Sequence, residues 1–153
     1  MLYDKLLSET RANVFEVDMP LTIKGLYSDG NIWINKHIET RAEKACVLAE
    51  ENGHDYTSFG DILNQNTIIN RKQELRARQW GYESVVPLES FKRAHQAGIR
   101  TRHELAEFLD ITEEYLLAAI ERYRQRYGLY ADMGDHFIHF DPLGITYCFR
   151  NIE

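Results

Sequence analysis

The stretch Glu50-Glu51-Asn52-Gly53-His54 constrains this chain more than any other. In a helix, residues four apart share a face, so Glu50 and His54 stand one turn apart with Glu51 beside them. Two metal-binding groups would then meet at one point. The helix itself is well marked, because Thr40 and Glu43 have the spacing of a capping box and start it at about Thr40. Ala42, Ala45, Cys46 and Ala49 form a stripe of small apolar residues, the pattern of a helix packed closely in a core. Two glutamates and a histidine on such a helix need a reason, since burying charge is costly unless it is paired.

The pattern is H-E-x-x-H with one ligand exchanged. In that motif two histidines at i and i+4 hold zinc, and the glutamate between them activates a water. Here Glu50 takes the place of the first histidine, Glu51 that of the catalytic glutamate, and His54 is the second histidine. On its own the window also reads as a solvated acidic turn with an incidental histidine. Residues 70–82 add a second piece: they read as a helix that ends by Pro87, with Glu74, Ala77 and Gly81 on one face. The small residues let this helix approach the first, and Glu74 then points at Glu50 and His54 as a third ligand. Three protein ligands and an open position make a catalytic zinc site.

Gly25-Leu26-Tyr27, the strand Ile32-Trp33-Ile34-Asn35, the Leu48-Ala49-Glu50-Glu51-Asn52-Gly53-His54 helix and Glu74-x-x-Ala77-x-x-Trp80-Gly81 follow one another in a definite order and spacing. In both respects they resemble the ImmA/IrrE metallopeptidases. The remainder is similar to ImmA-type members carried by prophages and integrative elements, through Arg102-His103-Glu104-Leu105-Ala106-Glu107-Phe108-Leu109 and the Asp141-Pro142-Leu143-Gly144 turn. This resemblance implies a zinc-dependent endopeptidase that cleaves, and so inactivates, a helix-turn-helix repressor of the element. By position it implies Glu74 as the last zinc ligand, His54 as a ligand and Glu51 as the general base. Glu50 is the departure. Carboxylate oxygen binds zinc at much the same distance as imidazole nitrogen, so the geometry survives. A second anionic ligand, however, makes a bound water less acidic, which predicts weak or conditional activity. An oxygen-rich Glu, His, Glu set also brings Mn2+ or Fe2+ into view behind Zn2+. His37, just after the hairpin, is an alternative source of the missing nitrogen.

A net charge of −6 argues against a protein that grips a phosphate backbone, and the expected partner is a protein, not nucleic acid. Arg71-Lys72 and Arg76-x-Arg78 read as partners for acids on a charged helix face. No apolar run approaches the roughly 20 residues that span a membrane, and the start of the chain lacks a secretory pattern, so a cytoplasmic location is expected. Cys46 and Cys148 fit that compartment as reduced, buried thiols.

Residues 2–12 read as a short amphipathic helix and 14–17 as a short strand. Residues 22–27 and 31–35 flank Ser28-Asp29-Gly30, whose Asp-Gly step signals a hairpin with an edge able to pair with an extended peptide. Residues 57–65 read as a polar loop, in which Asp61 competes with Asp55 to orient His54. After Pro87 come short helices: 88–97 closed by Gly98, one opened by the Thr101-x-x-Glu104 capping box and ending at Leu109, and one from Thr112 to Tyr127 before Gly128. Their rhythm is that of a helix-turn-helix, but Glu113 and Glu114 open the would-be recognition helix, where phosphate contacts need basic or amide groups. Residues 137–149 read as a terminal hairpin, with His136 and His139 facing opposite sides.

The expected fold is therefore α+β. A zincin-like metallopeptidase core spans residues 1–87, a hairpin plus the metal-binding helices. Residues 88–153 form a helical, helix-turn-helix-like module with a terminal β-hairpin, packed on the core as one unit. The expected site is Glu51 as catalytic base with Glu50, His54 and Glu74 on one zinc ion. Two rivals come from other classes: an antirepressor that keeps the fold and acts by binding alone, and a DNA-binding regulator. Glu51→Gln separates the first, and salt-sensitive duplex binding would mark the second.

Overall fold

The computed structural model describes residues 1–57 and 67–148. In chain order the elements are α1 (Leu2–Glu9), β1 (Asn13–Val17), β2 (Gly25–Ser28), β3 (Asn31–Asn35), α2 (Arg41–Thr57), α3 (Thr67–Val85), α4 (Leu88–Gln96), α5 (Arg102–Leu109), α6 (Glu113–Tyr127), β4 (Tyr130–Asp132), β5 (His136–Phe140) and β6 (Leu143–Tyr147). The mixed α+β architecture is as the sequence predicts. No helix among the described residues is long and apolar enough to cross a membrane.

The first sheet has the order β1-β3-β2. Asp29 and Gly30 both take positive φ, 46° and 78°, which gives the β2–β3 hairpin the mirror-image turn that suits twisted strands. The first arm of the hairpin is shorter than the sequence suggests. Thr22, Ile23 and Lys24 lie outside it, in a connection held by the buried side chain of Asn35. The Asn35 amide donates to the carbonyls of Met19, Pro20 and Ile23, and its oxygen accepts from the backbone of His37. β1 runs parallel to β3, with Asn13 opposite Asn31 and Val17 opposite Asn35. Nothing in the alternation of five residues could announce that partner.

α2 begins as its cap requires: the Thr40 hydroxyl accepts from the backbone N–H of Glu43 at 3.1 Å. It lies across the sheet, and Ala45, Leu48 and Ala49 are fully buried. Its longest partner is α3, and the two helices meet where neither has bulk. A Cβ on Gly53 would stand 2.0 Å from the Ala77 carbonyl oxygen, and one on Gly81 3.2 Å from that of Ala49. Glycine at these points is a condition of the approach.

One continuous core runs from Tyr3 and Leu6 through α2 and α3 to Leu116, Ile138 and Phe140. The hydroxyl of buried Tyr123 donates to the carbonyl of Val86 at 2.8 Å and ties α6 to the α3–α4 junction. Thr101 and Thr112 cap α5 and α6 at the expected positions, accepting from the N–H groups of Glu104 and Tyr115. The C-terminal hairpin is accompanied by a third strand, β4, making an antiparallel sheet of order β4-β5-β6. Within β5, His136 faces in and His139 lies on the opposite, more open side.

Candidate metal centre

Glu50, Glu51 and His54 arrive on the last turns of α2, and Glu74 on α3. The close contact of Gly53 with Ala77 sets how near these turns can come. Donor atoms of Glu50, His54 and Glu74 consequently lie within 4.8 Å of one another, the one such convergence among the described residues. His54 Nε2 is 3.4 Å from Glu74 Oε1. Two donors held about 2.1 Å from a tetrahedral ion stand about 3.4 Å apart, so this pair already has the spacing of zinc ligands. Two carboxylates and an imidazole also make a chemically suitable donor set for a divalent ion. On both counts the residues fit a metal.

Glu51 lies deeper. It is 9% exposed, and a Cβ on Gly25 at the start of β2 would stand 3.1 Å from its Oε1. The bare backbone of β2 thus passes directly against the carboxyl group. Burial first, and then the nearby carboxylates of Glu50 and Glu74, push the Glu51 pKa up to about 8. A carboxyl group poised near neutrality can both take and return a proton.

On the far side of Glu50 an open cleft of about 400 Å³ is lined by Val47, Glu50, Arg78, Tyr82 and Tyr115. The Tyr115 hydroxyl is buried over Gly81 without a hydrogen-bond partner, and burial raises its pKa. A second groove of about 470 Å³ lies between α4, α5 and β6, but no carboxylate or thiol lines it. Of the cluster residues, Glu50 is the one that lines the first cleft.

Other candidates lie elsewhere. His37 Nε2 is 2.6 Å from Asp18 and takes no part in the cluster. Asp55 does not orient His54; it accepts from Arg11 Nε at 2.6 Å and from the Tyr27 hydroxyl at 2.8 Å, pinning the end of α2 to the sheet. Asp61 falls outside the described residues. Tyr56 stacks on Trp80 with ring centroids 4.7 Å apart and carries Arg11 on its ring at 4.0 Å. His95 meets the Tyr147 hydroxyl, and His103 pairs with Glu107 and Glu113 on the surface. Both cysteines are free thiols; Cys46 is buried as expected, but Cys148 is only partly buried.

Two features of the site escaped the sequence. Gly25 was visible as part of a strand, but nothing marked it as the residue that lies on Glu51. The basic run predicts an acidic partner for Arg78 without saying which; the acid is Glu50, with Nε 3.6 Å from Oε1. Its spacing of four from Glu74 was the available signal.

A helix pair that brings glutamates and a histidine together beside a β-strand makes a candidate metal centre. The chain belongs to the Peptidase_M78 family, the IrrE N-terminal-like domain, whose model matches residues 8–121. That match includes every residue of the cluster and runs beyond Pro87 into α6. No curated protein and no solved structure matches the chain.

Proposed function

We propose that this protein is a metal-dependent endopeptidase that inactivates a helix-turn-helix repressor of a prophage or mobile element by cutting it. Glu50, His54 and Glu74 would hold one ion, Zn2+ ahead of Mn2+ or Fe2+. The ion's contribution is to polarise the scissile carbonyl and stabilise the charge that develops on its oxygen. Glu51, buried beside the cluster, would take the proton from the attacking water and deliver it to the leaving amine. Gly25 leaves β2 without a side chain where it meets Glu51, so an extended peptide added to this sheet edge would pass close to the base.

The observation that carries this reading is the convergence of Glu50, His54 and Glu74 beside a buried Glu51. The test is metal content of the purified wild type, His54→Ala and Glu74→Ala, followed by cleavage of the element's repressor by wild type and Glu51→Gln. About one ion per chain, lost in the first two variants, with cleavage abolished in the third, is the expected result. A protein that takes up no metal refutes the mechanism. A second reading rests on Glu50 itself: an added anionic ligand weakens activation of water, and an antirepressor that acts by binding would keep its effect in Glu51→Gln.

A further inference from the structure

Glu50 puts a negative charge where the motif it replaces has a neutral ligand, and the fold places a positive charge against it. Arg78 Nε is 3.6 Å from Glu50 Oε1, and both residues line the 400 Å³ cleft. Both side chains are partly open, 54% exposed for Arg78 and 38% for Glu50. A surface ion pair so exposed adds little to stability, and its position is the more informative fact. Arg78 stands one turn beyond Glu74 on the same face of α3, so whatever sets the position of Glu74 sets that of Arg78 as well. The pair links the two helices at the height of the cluster.

We infer that Arg78 is a positioning residue that shares the Glu50 carboxylate with the metal, one oxygen to each cation, so that the two side chains together replace a neutral ligand. A carboxylate has two oxygens and can face two cations at once. Held this way, Glu50 offers the ion a single oxygen, and the guanidinium offsets the charge that the exchange introduces. Arginine suits the task because it stays charged and its planar fork fixes direction as well as charge. The inference rests on the metal-centre reading above and adds a residue to it.

The experiment measures Zn2+ affinity by chelator competition, and the absorption spectrum with Co2+ in place of Zn2+, for wild type, Arg78→Gln and Arg78→Lys. Arg78→Gln removes a repelling charge and frees the second Glu50 oxygen. Zn2+ should bind about tenfold tighter, and the Co2+ bands should weaken as coordination number rises. Arg78→Lys keeps the charge and should stay close to wild-type affinity. Arg78→Gln made in a Glu50→His background has no carboxylate to release, so its Co2+ spectrum should match that of Glu50→His alone.

A merely structural Arg78 predicts the opposite sign, with weaker metal binding in Arg78→Gln. That result, or an Arg78→Gln protein with unaltered affinity and spectrum, overturns the inference. Should Glu50→His fail to fold, the comparison of Arg78→Gln with Arg78→Lys still decides. Wild-type protein that binds neither ion refutes the metal-centre reading instead, so the two failures are distinct.

Discussion

Replacing Gly53 with alanine tests whether the α2–α3 contact sets both the stability and the geometry of the metal centre. The added Cβ would lie 2.0 Å from the Ala77 carbonyl oxygen and 2.8 Å from its carbon. An ordinary contact of this kind is 3.4 Å or more, so the helices must part by more than about 1 Å, and no side-chain rotation can relieve a clash with backbone. Overpacking of a core costs about 1–3 kcal/mol. For a chain of this size that lowers Tm by roughly 3–10 °C. The same movement separates His54, next to Gly53, from Glu74, one turn before Ala77. Their donors are 3.4 Å apart, and widening that gap by about 1 Å puts it beyond tetrahedral zinc spacing. Thermal melts of the metal-free protein and chelator competition for Zn2+ should both register the change, with affinity at least about tenfold weaker. Gly144→Ala is the control, because a Cβ there meets nothing within 4 Å. A Gly53→Ala protein with unchanged Tm and unchanged affinity would refute the close approach and the coupling drawn from it.

Three further outcomes are expected. In metal-free protein the folded state holds the Glu51 proton up to about pH 8, while the unfolded chain releases it near the ordinary value of 4.5. Stability should therefore be full below about pH 4.5, fall as pH rises, and level off above about 8; urea melts at several pH values should show this slope reduced in Glu51→Gln. Asn35→Ala removes a side chain that satisfies three carbonyls and one N–H, and should cost about 2–4 kcal/mol in chemical denaturation. Thr112→Ala deletes the α6 cap and should cost about 1 kcal/mol with little change in metal affinity.

How much of this was legible depends on how local the determinants are. α2, α5 and α6 were readable because Thr40, Thr101 and Thr112 announce their own starts, and Asp29-Gly30 announces its turn. The parallel partnership of β1 with β3 was not, because it joins residues 18 apart through a register that only the packed sheet fixes. β4, at three residues, is too short to show an alternation. Glu50, His54 and Glu74 could be grouped from two helical faces and the small residues between them. Asp55 could not be assigned, because its partners Arg11 and Tyr27 are 44 and 28 residues away. An aspartate beside a histidine in sequence carries no information about which way its carboxylate turns.

The two helices that share the cluster differ in how deeply they are held, and this has a kinetic consequence. α2 is enclosed by the sheet, α1 and α3, and its central residues Ala45, Leu48 and Ala49 have no exposed surface. Arg71, Lys72 and Glu74 on α3 are exposed. Amide hydrogens in the middle of α2 should therefore exchange with solvent only on global unfolding, and those around Glu74 through smaller openings. An ion held between the two helices would exchange by the same route, entering and leaving as Glu74 swings out while Glu50 and His54 stay in place. Its residence time would then be set by the opening of α3, well before the fold as a whole gives way.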